Sequence, residues 1–258
     1  MIKRLMTMAL LVLCLLAAAA AGAEEMTDAA ETASSAAQKV VYLTFDDGPK
    51  ADTPELLALL EELDVPATFF FVGLAVRAYP EHAKMVVDAG HAVGCHTMGH
   101  SPGMIKKDVT FIARDIERFL KEMRGIAGED FTTDLYRFPG GSTSYSSRAK
   151  HAVVDAGFSW FDWNAMTGDT HAGVTQQDLY DLAVETSADE EVVILLMHEA
   201  KVRTRRILPD LVAYYREHGY EFRRMSTDPV DRALYARCPA HMMLTETEQE
   251  NETEEETP

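Results

Sequence analysis

The chain is short of cysteine and of positive charge. Cysteine occurs only at positions 14, 95 and 238 of 258 residues, which excludes a small scaffold held together by several disulfides. Lysine and arginine number 24 against 42 aspartates and glutamates, and the formal net charge is -18. An acidic chain without a basic stripe argues against binding to nucleic acid or to an anionic membrane surface. With 47% hydrophobic residues, the chain can instead bury one large core of barrel size.

The N-terminus has the pattern of an export signal. Lys3 and Arg4 precede an apolar run over residues 5–20, and the small residues 21–23 follow it. This order predicts a signal peptide over residues 1–23, and hence a protein that is secreted or held in the cell envelope. The alternative is an uncleaved anchor, because the run is nearly long enough to span a bilayer. We expect membrane association only in that case.

The rest of the chain divides by composition. Residues 24–38 lack periodicity and are predicted to be a flexible spacer. Residues 39–228 alternate apolar runs with helical patterns, which predicts one α/β domain. The alternation fades in a C-terminal extension over residues 229–244, and the glutamate-rich residues 245–258 are predicted to be a disordered tail.

Seven short runs within the domain are predicted to be strands. They are apolar almost throughout, which is typical of a parallel sheet covered by helices. Seven βα units predict a closed or nearly closed (β/α) barrel, one unit short of the standard eight, and an open doubly wound sheet is the alternative. The runs lie at residues 40–43, 67–72, 92–95, 135–138, 159–163, 192–197 and 221–225.

Polar residues fall repeatedly where these predicted strands end. In α/β barrels and open sheets, the carboxyl ends of the strands carry the functional residues. We therefore expect a site at this end of the sheet. The residues are Asp46 and Asp47 after the first strand, His96 and His100 after the third, Arg137 in the fourth, Asp162 and Asp169 around the end of the fifth, and His198 after the sixth.

The histidine pair indicates a metal site. His96 and His100 are four residues apart, and an aspartate would complete a three-ligand set for zinc, cobalt, nickel or iron. A zinc-protease helix is excluded, because Thr97 stands where that motif needs glutamate. The alternatives are surface histidines and a solvated Asp46-Asp47 turn. However, two adjacent carboxylates beside a buried strand repel each other unless a cation binds one of them.

Two further residues have acid–base or electrostatic interpretations. His198 emerges from a buried run, and its ordinary pKa suits a general acid near neutral pH. The alternative is a histidine satisfied within the core. Arg137 can hold a carboxylate in a forked pair, whether that pair is catalytic or structural.

Five motifs, in order over residues 38–228, resemble those of the polysaccharide deacetylases with a NodB homology domain. The combination is far more specific than any single motif. The resemblance implies a distorted (β/α) barrel. The motifs are Thr44-Phe45-Asp46-Asp47-Gly48-Pro49, His96-Thr97-x-x-His100-Ser101, Arg137-Phe138-Pro139-Gly140-Gly141, the region from Asp162 to Asp169, and Leu195-Leu196-Met197-His198.

The resemblance also implies roles for individual residues. In the family, an aspartate of the fourth motif tunes the histidine that acts as general acid. Asp169 aligns with that aspartate, and Asp162 is the second choice. Asn164 and Thr170 depart from the family pattern in this motif, the second of them where a tryptophan is usual. The remaining implied roles are Asp46 as general base, Asp47 with His96 and His100 as ligands of a divalent metal, Arg137 as the group that orients Asp46, and His198 as general acid.

The expected reaction is hydrolysis of N-acetyl groups on cell-envelope polysaccharide. Zinc is the first choice of ion, and the backbone N–H of Gly140 is expected to help bind the oxyanion. N-acetylglucosamine of peptidoglycan is the first choice of substrate, with chitin oligomers, N-acetylmuramic acid and acetylated xylan left open. A non-haem iron oxygenase shares the ligand set but has no use for the acid–base residues. A glycan-binding wall protein without turnover is the non-enzymatic alternative.

Overall fold

The computed structural model describes residues 38–245. The predicted signal peptide or anchor, the spacer before Gln38 and the acidic tail after Thr245 lie outside the described residues. Within residues 38–245, no helix has the length and apolar character that crossing a bilayer requires.

Strands and helices alternate along most of the described chain. The strands are β1 (Lys39–Gly48), β2 (Thr68–Phe71), β3 (Ala92–Cys95), β4 (Leu135–Tyr136), β5 (Ser159–Phe161), β6 (Ala165–Met166), β7 (Val192–His198), β8 (Tyr220–Arg223) and β9 (Met242–Met243). The helices are α1 (Thr53–Glu62), α2 (Gly73–Ala78), α3 (Pro80–Asp88), α4 (Pro102–Lys107), α5 (Phe111–Ala127), α6 (Ser147–Asp155), α7 (Gln176–Ser187), α8 (Val202–Glu217) and α9 (Pro229–Tyr235).

The sheet is organised around β1, whose residues 40–46 are all buried. The β-branched and aromatic side chains of this strand fit a pleated surface that is covered on both faces. One edge of β1 pairs in parallel with β7, and the register places Asp46 opposite His198. The other edge pairs with β8 over its first half and with β2 over its second half. The carboxyl ends of β1, β2 and β7 therefore meet at one mouth of the sheet.

The strand order is β6-β7-β1-β2-β3-β4-β5-β9, with β8 beside β1. All pairs are parallel except β5 with β9, which is antiparallel. Within residues 38–245, no strand pairing joins β6 to β9, so the sheet curls without closing. This architecture confirms the predicted distorted (β/α) barrel and excludes the open doubly wound alternative.

The curl of the sheet encloses an inner core. Tyr42 of β1 and Phe161 of β5 lie on strands separated by three others in the sheet order, yet they belong to one buried cluster. Leu234 and Tyr235 of α9 join this cluster and fill the amino-terminal end of the barrel. Alternate β1 residues, such as Val41 and Leu43, face outward into the core formed with the helices.

All seven predicted strands are present, but the sequence patterns missed several elements. The helices α2 and α4 have six residues each, fewer than two turns, so no helical period can develop in the sequence. The strands β6 and β9 are also too short to show an alternation. Both cysteines within the described residues, Cys95 and Cys238, are free thiols.

The region after Asp228 is more ordered than the fading alternation predicts. It contributes α9 and β9 to the domain. The Asp228 side chain caps α9 by accepting a hydrogen bond from the N–H of Asp231 at 2.8 Å, and Pro229 begins the helix. This Asp-Pro start was the available sequence signal for a helix of seven residues.

We predict that Tyr235→Ala lowers the free energy of unfolding by about 3–5 kcal/mol. The ring is buried and lies 5.4 Å from Tyr42 and 5.0 Å from Phe161, between ring centroids. Denaturation in urea measures the loss. Val230→Ala, in the same helix at 55% exposure, is the matched control. Equal stability of the two variants would show that α9 does not stabilise the barrel.

Candidate functional site

Two carboxylates stand together where β1 ends. Asp46 is 3% exposed, whereas Asp47 is partly exposed. Side chains of a strand alternate between its two faces, so neighbouring aspartates would normally point apart. Asp47 instead adopts a φ of 71°, which breaks the alternation. As a result, Nε2 of His96 lies 3.8 Å from Oδ2 of Asp46 and 3.7 Å from Oδ1 of Asp47.

A tight loop after β3 brings the two histidines together. Thr97 and His100 have φ values of 67° and 47°, so the loop turns sharply and cannot be a helix. Oγ1 of Thr97 accepts a hydrogen bond from the N–H of His100 at 2.8 Å. The N–H of Met98 donates to Oδ2 of the buried Asp115 at 2.7 Å, which ties the loop to α5. The imidazole rings of His96 and His100 consequently lie 5.0 Å apart.

The side chains of Asp47, His96 and His100 have the geometry of a metal site. One ligand atom from each residue lies within 4.8 Å of the other two. Nε2 of His100 is 3.5 Å from Oδ1 of Asp47. A tetrahedral zinc ion separates its ligand atoms by roughly 3.4 Å, so the three atoms are spaced to share one ion.

The protonation of His96 also suits a metal ligand. Nδ1 of His96 lies 2.8 Å from the carbonyl oxygen of Arg137 and donates a hydrogen bond to it, which leaves the lone pair of Nε2 facing Asp47. Burial lowers the pKa of His96, and the nearby Asp46 and Asp47 only partly oppose this effect. The imidazole is therefore neutral near pH 7, the form that binds a metal ion.

Arg137 is fully buried and joins three parts of the site. One terminal nitrogen of its guanidinium donates to Oδ1 of Asp46 at 2.9 Å and to Oγ1 of Thr44 at 2.7 Å. The remaining nitrogens donate to the carbonyl oxygens of Phe161 and Asp162, both at 3.1 Å. This network fixes one oxygen of Asp46 on Arg137 and leaves the other facing His96.

His198 pairs with Asp169 rather than with Asp162. Nδ1 of His198 lies 2.7 Å from Oδ1 of Asp169, and Oδ2 of that carboxylate accepts from the N–H of His198 at 2.8 Å. Oγ1 of Thr204 adds a third hydrogen bond to the carboxylate at 2.7 Å. Asp162 instead accepts from the N–H and the hydroxyl of Ser142, each at 2.8 Å. The carboxylate of Asp162 thus holds the loop after β4.

The charge of Asp169 controls the protonation of His198. Burial on its own lowers the pKa of His198, but the hydrogen bond and the charge of Asp169 outweigh burial and raise it. Asp46 and Asp47 raise this pKa further. The same contacts lower the pKa of Asp169 against its own burial. Both shifts favour the imidazolium form of His198 beside the carboxylate of Asp169.

Gly140 lies in the turn between Arg137 and the Ser142 loop. Its φ is 75°, a conformation that favours glycine. The residue is exposed, and a Cβ built on it would meet no atom within 4 Å. Within residues 38–245, the N–H of Gly140 donates to no protein acceptor.

The motifs did not reveal the residues that support the site. Thr44, Asp115, Thr204 and Glu199 are all buried and polar. Thr44 is the first residue of the first motif and Glu199 directly follows the last one, which was a usable signal. Asp115 and Thr204 lie on helices, and only the fold brings them to the site.

We predict that Asp169→Asn lowers the pKa of His198, because the variant removes the hydrogen-bonded charge that does most to oppose the effect of burial. NMR titration of the His198 imidazole measures the change. Asp162→Asn is the matched control, since its contacts are with Ser142, and it should leave the His198 titration in place. Identical His198 titrations in the wild-type and Asp169→Asn proteins would contradict the assignment.

Comparison with known proteins shows which family shares this sequence and fold. The polysaccharide deacetylase family model matches residues 33–160. A peptidoglycan-N-acetylglucosamine deacetylase of Bacillus cereus is 32% identical over 197 residues, which cover 72% of this chain and 68% of that protein.

Solved structures of the same kind share the fold. The polysaccharide deacetylase Bc1974 from Bacillus cereus superposes with a TM-score of 0.67 at 28% identity, covering 74% of this chain and 94% of that one. A CE4 esterase of Streptococcus mutans gives a TM-score of 0.67 at 29% identity, with coverages of 73% and 87%. From its sequence, its curled barrel and these relatives, the chain belongs to the polysaccharide deacetylase family.

Proposed function

We propose that the protein is a metal-dependent hydrolase that removes N-acetyl groups from cell-envelope polysaccharide. The observation that carries this proposal is the convergence of Asp47, His96 and His100 within 4.8 Å, beside the Arg137-bound Asp46. His198, opposite Asp46 in the register of β1 and β7, supplies the second titratable group. A base, a three-ligand set and an acid are the parts that hydrolysis of an amide requires.

Asp47, His96 and His100 would hold the divalent ion. Zinc is the first candidate, and cobalt, nickel and iron also accept this mixture of imidazole and carboxylate. A bound ion of this kind would lower the pKa of a water molecule to about 7 and would polarise a carbonyl oxygen.

Asp46 acts as general base in this proposal. Its Oδ1 is occupied by Arg137, so Oδ2, 3.8 Å from Nε2 of His96, is the oxygen that faces the metal ligands. A carboxylate fixed in this way can accept a proton from the attacking water without first rearranging. The N–H of Gly140, which has no protein acceptor within the described residues, is the candidate donor to the oxyanion.

His198 acts as general acid. Because its Nδ1 is bound to Asp169, Nε2 is the nitrogen available to donate a proton. The raised pKa favours the protonated ring that a general acid requires. Transfer of this proton to the amide nitrogen lets the carbon–nitrogen bond break, giving acetate and a free amine on the sugar.

N-acetylglucosamine in peptidoglycan is the proposed substrate. The proposal is supported by the Bacillus cereus relative, which is named for deacetylating that sugar in peptidoglycan, and by the export signal predicted at residues 1–23. The same support favours action in the cell envelope or outside the cell.

We predict that the purified protein releases acetate from peptidoglycan fragments more efficiently than from chitin oligomers or acetylated xylan. A panel of these glycans, including fragments whose only acetyl group is on N-acetylmuramic acid, measures the preference as kcat/KM. A chelator should abolish release, and zinc should restore it. Preferred release from another glycan would correct the substrate, and activity that persists with the chelator would contradict the metal dependence.

Two variants control this experiment. Asp46→Asn should keep zinc affinity but reduce turnover by about 100-fold or more, since general-base catalysis is lost. His96→Ala should lose both zinc affinity and turnover. Normal turnover in Asp46→Asn would remove Asp46 from the mechanism. A protein that binds glycan and zinc without releasing acetate would instead be a binding module.

A further inference from the structure

A buried acid that the proposed mechanism does not use lies directly behind the aspartate pair. Glu199 follows His198 and is 0% exposed. Its N–H donates to the carbonyl oxygen of Asp46 at 3.3 Å. Among the described residues, its Oε2 has no hydrogen-bond partner. A buried and incompletely satisfied carboxyl group costs stability, and an apolar side chain of similar size would fill the space without that cost.

The carboxyl group of Glu199 packs against the turn that follows Asp47. A Cβ built on Gly48 would lie 1.6 Å from Oε2 of Glu199 and 2.9 Å from Cε1 of Phe71. The φ of Gly48 is not positive, so close approach, rather than backbone freedom, requires glycine here. Only a glycine at position 48 therefore leaves room for the Glu199 carboxyl group against the turn.

Hydrogen bonds connect the same carboxyl group to the far end of the turn. Oε1 of Glu199 is bonded to Oγ1 of Thr53. That hydroxyl also accepts from the N–H of Lys50 at 2.8 Å and lies 2.9 Å from the Lys50 carbonyl oxygen. Nδ1 of His82, 2.7 Å from this carbonyl oxygen, is a second donor to it. Glu199 thus contacts the turn near both of its ends.

Each hydrogen bond in this network has a donor proton only if Glu199 is neutral. The Thr53 hydroxyl has one proton but faces two acceptors, an ionised Glu199 and the Lys50 carbonyl oxygen. A protonated Glu199 donates to Thr53, which is then free to donate to Lys50. Burial raises the pKa of Glu199 to about 7, in agreement with this arrangement.

We propose that Glu199 is a positioning residue, which holds the turn over residues 48–53 so that Asp46 and Asp47 face the two histidines. The inference rests on the proposed metal-dependent function, because it assigns Glu199 a role in keeping Asp47 within reach of a shared ion. Removal of a group that holds a metal ligand in place typically lowers metal affinity or activity by about 10–100-fold.

Two substitutions of similar size separate this role from simple packing. Glu199→Gln resembles the neutral acid, since its amide can donate to Thr53, whereas Glu199→Met fills the same space without a hydrogen bond. Calorimetric titration of the metal-free protein with Zn²⁺ and measurement of kcat should show losses of about tenfold or more in Glu199→Met, and little change in Glu199→Gln. Glu217→Met, at an exposed position on α8, is the control for the substitution itself.

Wild-type zinc affinity and kcat in a folded Glu199→Met variant would overturn the proposal. If that variant does not fold, Thr53→Val and Thr53→Ser test the same hydrogen bond from its other side. Loss of zinc affinity in the valine variant alone supports the proposal, and equal affinity in both contradicts it. If the wild-type chain binds Zn²⁺ but deacetylates no glycan, the proposed function fails while the zinc titrations still decide the role of Glu199.

Discussion

The contact between Arg137 and Asp46 is the interaction on which the rest of the site depends. A guanidinium that is fully buried inside a barrel is costly unless its donors are satisfied and its charge is paired. Asp46 provides the charge, while the carbonyl oxygens of Phe161 and Asp162 accept two further hydrogen bonds. These partners come from opposite sides of the curled sheet, so the same contact orients the proposed base and ties the barrel together.

The two ends of the barrel are filled by different residues, and the carboxyl end carries the proposed chemistry. At the amino-terminal end, Leu234 and Tyr235 of α9 pack onto the inner faces of the strands. At the carboxyl end, the inward positions of β1 change from Tyr42 to Thr44 and then to Asp46, as a strand's alternation requires. The buried pair of Asp46 and Arg137 lies at this end, where carbonyl oxygens at the end of β5 accept the remaining hydrogen bonds of the guanidinium.

Much of this arrangement could be predicted from the sequence. Short apolar runs that alternate with helical patterns were enough to predict the strands and the barrel, because burial on both faces leaves a strong compositional signal. The convergence of Asp47, His96 and His100 followed from their positions after strand ends. The structure was needed to decide between Asp169 and Asp162, since each follows β5. Only the path of the intervening loop determines which of them contacts His198. Glu199 and Asp115 were missed because their roles arise from burial and from contacts distant in sequence.

The proposed site depends most directly on one divalent ion bound by three particular atoms. Anomalous diffraction at the zinc absorption edge, from crystals of the zinc-loaded protein, locates that ion. We expect a single strong peak about 2.0–2.2 Å from Oδ1 of Asp47 and from Nε2 of both His96 and His100. A peak elsewhere, with these three side chains turned away from one another, would contradict the proposed site and the mechanism built on it.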